Sequence, residues 1–148
     1  MAFRYSLQPL LRLRASLEHQ EEQRLLAIAA VVARLRAEIE QLRQNGLEAK
    51  RAGLAEIERT SSGASVQFAA VCGAAFDKAC KKLESRLEDA ERDRLHQLRE
   101  YQAVRQKREI LEGLRERQET AYELEFTRHE QQAADEAFLV RAHLISSE

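Results

Sequence analysis

The sequence predicts an all-α fold, a long two-helix antiparallel coiled-coil hairpin with an overhanging C-terminal helix end, forming a single coiled-coil domain over residues 1–148. Three observations predict it. Apolar or small residues recur at alternating steps of three and four through Leu25, Ile28, Val32, Leu35, Ile39, Leu42, Gly46, Ala49 and Gly53. That spacing places all of them on one seam of a slightly underwound helix and demands a facing helix. A third of the chain is charged, with one Pro, five Gly and no Trp, which favours long helices over a layered core and leaves no segment that reads as a strand. Turn-forming residues cluster in one place, Arg59-Thr60-Ser61-Ser62-Gly63-Ala64-Ser65.

Ser6 is a suitable cap for a helix beginning at Leu7, and Pro9 is tolerated in a first turn whose amides have no intrahelical acceptor. Helix one then extends over about 7–58, on the order of 75 Å. Its opening stripe, Leu7, Leu10, Leu11, Leu13 and Leu17, is out of phase with the later seam, and a stutter between Leu17 and Leu25 accounts for the shift. The tip takes about 59–65, with Ser62 or Ser65 available to cap the second helix. Helix two covers about 66–142, and its pattern loses phase between Ala90 and Leu98 and again from Tyr101 to Leu111.

Folding back about the tip sets Ile57 opposite Phe68, Gly53 opposite Cys72, Ala49 opposite Phe76 and Gly46 opposite Ala79, so large residues meet small ones. Leu7 then lies level with about Gln118, and the rest of helix two overhangs. The overhang carries its own stripe, Tyr122, Phe126, Ala133, Ala137, Val140 and Leu144. An apolar stripe on a single helix in water calls for a partner: the tail with Phe3 and Tyr5, a second copy, or another protein.

Several function classes are disfavoured. A net charge of −1 gives little electrostatic reason to bind nucleic acid. The longest apolar run, Leu25–Ala33, falls short of the roughly 20 residues that a bilayer helix needs, and the basic start with Arg4, Arg12 and Arg14 lacks a secretory pattern. Cys72 and Cys80 have no metal or redox spacing, and His19, His96, His129 and His143 are scattered, so no metal, cofactor or catalytic site is expected. The chain reads as a non-enzyme.

Both ends carry a family likeness. The start, Phe3-Arg4-Tyr5-Ser6-Leu7 with Leu10-Leu11 and Arg14, followed by Glu18 and Glu21-Glu22, resembles the opening of the flagellar export protein FliJ family. The end, Leu111-Glu112-Gly113-Leu114-Arg115-Glu116-Arg117 with Tyr122, Glu125, Arg128, Glu130, Asp135-Glu136 and Arg141, is similar to that family's C-terminal pattern. The resemblance implies a cytoplasmic component of the type III export apparatus, peripheral at the inner membrane. It further implies an antiparallel coiled coil similar to the central stalk of rotary ATPases, with the export ATPase FliI, the export gate protein FlhA and export chaperones as partners.

By that resemblance the ring-binding end comprises Phe3, Tyr5, Leu7, Tyr122, Phe126, Phe138 and Val140. Phe68, Phe76 and Tyr101 on the hairpin body are candidates for the gate-facing surface, although Phe68 and Phe76 also sit on the expected seam, where core packing is the plainer role. A homodimeric coiled-coil scaffold or tether, and the related injectisome stalk, are the alternatives.

Overall fold

The computed structural model describes residues 3–146, with side chains through 145. It contains two helices, α1 over Gln8–Thr60 and α2 over Gly63–Ser146, and no strand among the described residues. The helices pack against each other as an all-α hairpin. By packing the chain divides into two compact units, one of Met1–Glu18 with Ala103–Glu148 and one of His19–Gln102. They are termed the terminal unit and the tip unit.

In the tip unit every seam position expected on α1 is buried or half-buried, with Val32, Leu35 and Ile39 at 4, 4 and 5% exposure. Facing them, α2 half-buries Ala69, Cys72, Phe76, Ala79, Leu83, Leu87 and Ala90. Two consecutive four-residue steps, Ala79 to Leu83 to Leu87, put the stutter on α2. The stutter expected on α1 is absent. The buried and half-buried positions of α1 keep their spacing backwards from Leu25 through Glu21, Glu18, Arg14 and Leu11, while Leu13 is 55% exposed. Polar residues occupy the seam there, so apolar residues alone gave a false phase. The same cause explains α2, which is continuous where its pattern seemed to fail: Arg94, Gln97 and Arg108 hold the half-buried positions.

The turn is tighter than the seven residues expected. Helix α1 continues to Thr60 and α2 restarts at Gly63, leaving Ser61 and Ser62 between. Ser61 adopts φ 50° and its N–H donates to the Ile57 carbonyl at 2.9 Å, the single-residue left-handed stop that ends many helices. The Thr60 hydroxyl donates back to the Glu56 carbonyl at 2.8 Å and lies 3.1 Å from the Ser65 hydroxyl. The shorter turn moves the register by three residues. Phe76 covers Gly46, where a Cβ on the glycine would stand 3.4 Å from the ring, and Ala69 covers Gly53. Phe68 consequently leaves the seam and is 72% exposed.

Cross-helix ion pairs flank the tip-unit seam, Arg43 with Glu84 at 2.7 Å and Arg36 with Glu91, while Gln97 donates to both the Glu21 carboxylate and its carbonyl. Desolvation pushes the Glu91 carboxyl up, but hydrogen bonds and charge from Arg36 and Arg94 outweigh it, leaving the group below its ordinary 4.5. A depressed carboxylate stabilises the folded state above that ordinary value and loses the contribution as pH falls through its folded value. Hairpin stability followed by circular dichroism is therefore expected to be flat near neutrality and to drop below pH 4.5; Glu91→Gln should flatten part of that drop.

Mutations separate the seam from the discarded stripe. Leu35→Ala is expected to cost about 2 to 3 kcal/mol in urea unfolding and Leu13→Ala less than about 0.5. Gly113→Ala, where a Cβ meets nothing within 4 Å, should stabilise α2 by about 0.5 to 1 kcal/mol.

Candidate docking site

The terminal unit is fastened by the segment preceding α1. Tyr5 is buried at 8% exposure, and its hydroxyl donates to the Leu111 carbonyl of α2 at 2.9 Å. A helical carbonyl retains a second lone pair, so α2 accepts this bond while keeping its ladder. Further out, the Phe3 ring lies 5.8 Å from Tyr122 at a 47° tilt, and Tyr122 stacks on Phe126 at 6.4 Å and 20°. These separations suit aromatic pairs. On the other side of Tyr5, Leu11 is buried at 8%, and Arg108 bridges Glu18 and Glu112. The hydrogen bond to Glu18 raises the Arg108 pKa against the opposing effect of desolvation, with the charges of Glu18, Glu112 and Glu109 adding to it. The guanidinium is a permanent charge locked to α1.

Beyond Tyr122 the environment changes. Every residue from 123 to 145 is exposed, yet α2 remains helical to Ser146. At 1.5 Å per residue this overhang is on the order of 35 Å long. It presents Phe126 at 45%, Phe138 at 71%, Leu139 at 65%, Val140 at 60% and Ile145 at 77% exposure. From 137 to 145 only Arg141 and His143 interrupt an apolar helix. A helix of this composition gains stability chiefly by covering its apolar faces.

The seven residues expected at the ring end thus divide by role. Phe3, Tyr122 and Phe126 form a continuous aromatic surface, and Leu7 is 38% exposed beside α1. Tyr5 offers no surface; it ties down the tail that carries Phe3. Phe138 and Val140 lie farther along the overhang, roughly 20 Å from Phe126 along the helix axis. The three gate candidates do not come together. Phe68 and Phe76 line one groove in the tip unit, of about 540 Å³, with Gly46, Gly53, Cys72 and Gly73. Tyr101 is half-buried on the α2 seam, 25 residues on from Phe76. Glycines and alanines make up much of the groove's lining, and the little side-chain surface they carry leaves a hollow that no sequence pattern marks.

Among the described residues no group of three His, Cys, Asp or Glu could hold a metal, and no helix is long and apolar enough to cross a membrane. Cys72 and Cys80 are half-buried free thiols.

The family model described as flagellar FliJ protein matches residues 3–145. The chain belongs to the FliJ family. No curated protein and no solved structure matches it significantly. FliJ membership makes it a flagellar export-related protein of a family without catalytic role. The match spans both the Tyr5-fastened tail and nearly all of the overhang, so these features of the terminal unit lie inside the family region.

The tail is expected to yield first. Tyr5→Phe, which removes one hydrogen bond, should cost about 0.5 to 1.5 kcal/mol. Hydrogen exchange should show the loss over residues 3–18 and the facing part of α2, with the tip unit unchanged.

Proposed function

We propose that this FliJ-family chain is the central stalk of the flagellar export ATPase ring, binding the export ATPase FliI through the overhang of α2. The observation that carries the reading is the overhang itself, held in helical form with all of its residues from 123 to 145 exposed. Phe3, Tyr122 and Phe126 begin the docking surface, and Phe138 and Val140 continue it. One chain on the axis of a ring of equivalent subunits meets them unequally, and an unequal contact biases which subunit binds or hydrolyses ATP. The stalk then acts without contributing a catalytic group.

The second surface in this reading is the glycine-lined groove beside Phe68 and Phe76, offered to the gate protein FlhA or to export chaperones. Phe68, at 72% exposure, is its accessible anchor. The protein works in the cytoplasm, at the inner-membrane export apparatus, and is held there by these partners.

The test is the ATPase rate of the cognate export ATPase with and without this chain, with light scattering on both samples. Stimulated turnover and a ring-sized complex containing one copy of the chain are expected. Tyr122→Glu combined with Phe126→Glu should reduce ring binding more than about tenfold, consistent with loss of two aromatic anchors, while helicity is retained. Wild-type binding by that double variant overturns the assignment of the docking end.

A further inference from the structure

The seam of the terminal unit does not stop where its covering chain stops. There α2 half-buries Val104, Arg108, Leu111, Arg115, Glu119 and Tyr122 beneath α1 and the segment before it. The same spacing carried onward lands on Phe126, His129, Ala133, Ala137, Val140 and Leu144, all exposed. From Val104 to Leu144 these positions stay within about 80° of arc at 100° per residue, so one stripe runs straight along α2. Residue type, not spacing, marks its outer part as a seam. All but His129 are apolar there, whereas off the stripe over 123–136 only Leu124 and Ala134 are. Where it is covered the seam carries Arg108, Arg115 and Glu119; where it is uncovered it turns apolar. A merely solvated extension of α2 has no need of that.

The edges of the outer stripe are acidic. Glu119–Arg141 holds six acids and two bases. Glu123 and Glu130 each follow a seam residue, as Glu84 and Glu91 do in the tip unit, where Arg43 and Arg36 of α1 meet them across the seam. Glu125 and Glu136 each precede one, on the other edge, and all four overhang acids are exposed. Arg128 lies on the opposite face, and Arg141 reaches the edge only near the end of α2.

We propose that the overhang receives one amphipathic helix of its partner, laid along the face that α1 covers elsewhere on α2, with an apolar stripe flanked on both edges by arginine or lysine. The occupant is a helix because the exposed face continues an interface that a helix already fills, and a stripe this narrow belongs to a helix pair. Phe126 to Leu144 spans about 27 Å, the length of about five helical turns. The flanks of the occupant are basic because Glu123, Glu130, Glu125 and Glu136 border the stripe, and the hairpin itself answers acids at such places with arginines of the covering helix. Edge charges of this kind select the partner and speed its encounter, while the apolar stripe holds it.

The inference rests on the overhang being the end that docks the export ATPase, and the variants keep the two apart. Affinity of the full chain for the cognate ATPase is read by fluorescence anisotropy at rising salt, with circular dichroism on every variant. Wild-type binding is expected to weaken as salt rises. Glu123→Arg with Glu130→Arg, and separately Glu125→Arg with Glu136→Arg, should each weaken binding about tenfold or more and remove most of that salt dependence. A photoreactive benzoylphenylalanine placed at Ala133 should cross-link to a single ATPase helix with arginine or lysine beside an apolar stripe, and one placed at Gln131, on the opposite face, should capture little. Binding that survives both charge reversals but is lost in Tyr122→Glu with Phe126→Glu overturns the basic helix and leaves the docking end standing. Binding unchanged in all three variants overturns the docking end, and this inference with it. Cross-links from Ala133 to a second copy of the chain, or equal capture from both faces, also overturn it.

Discussion

A helix in a pair has only one neighbour, and that constraint governs this protein. Among the described residues no side chain is less than 2% exposed, and even the best-packed seam residues, Val32 and Leu35, keep 4% of their surface in water. Stability is therefore spread thinly along the seam instead of concentrated in a core. Under that condition a seam position can hold a charge at modest cost, because the charged group reaches solvent at the seam's edge. Arg94, Gln97, Arg108, Glu18 and Glu21 exploit this, and the pairs that cross between the helices, Gln97 with Glu21 and Arg108 with Glu18, help fix the register.

The same constraint decides what the sequence could reveal. Helix existence, the apolar seam from Leu25 to Gly53, the place of the turn and the presence of an overhang were all legible, because each is carried by a residue type that water sorts strongly. Polar seam positions were not, since Arg or Glu at half-burial is indistinguishable by composition from Arg or Glu on the surface. That gave a stutter on α1 that does not exist and hid one at Ala79 to Leu87 that does. The turn was overestimated because Ser61 takes the left-handed conformation that glycine usually supplies, while Gly63 has no positive φ. Three residues of register shifted with that one serine, and with them the exposure of Phe68.

Of the candidate docking end, the aromatic residues were legible as a set and their roles were not. Tyr5 and Phe3 are two residues apart, yet one is buried and spends its hydroxyl on the Leu111 carbonyl while the other lies against Tyr122 at the surface. Only the path of the tail along α2 separates them. The overhang shows the converse: its apolar stripe was legible in the sequence, and the fold adds that every residue from 123 to 145 is exposed.

The hairpin also orders its own assembly in time. Contacts across it span 5 residues at Thr60 and Ser65, 41 at Arg43 and Glu84, 76 at Glu21 and Gln97, and 106 at Tyr5 and Leu111. Short loops close first at the least entropic cost, so the chain zips from the turn outwards, and the tail is the last piece to settle. During synthesis the tail, though made before α2, waits until Leu111, three quarters of the way along the sequence, before its acceptor exists. Once settled it is also the first to let go, and its release bares the Leu111 to Tyr122 stretch of α2 while the seam near the turn stays closed.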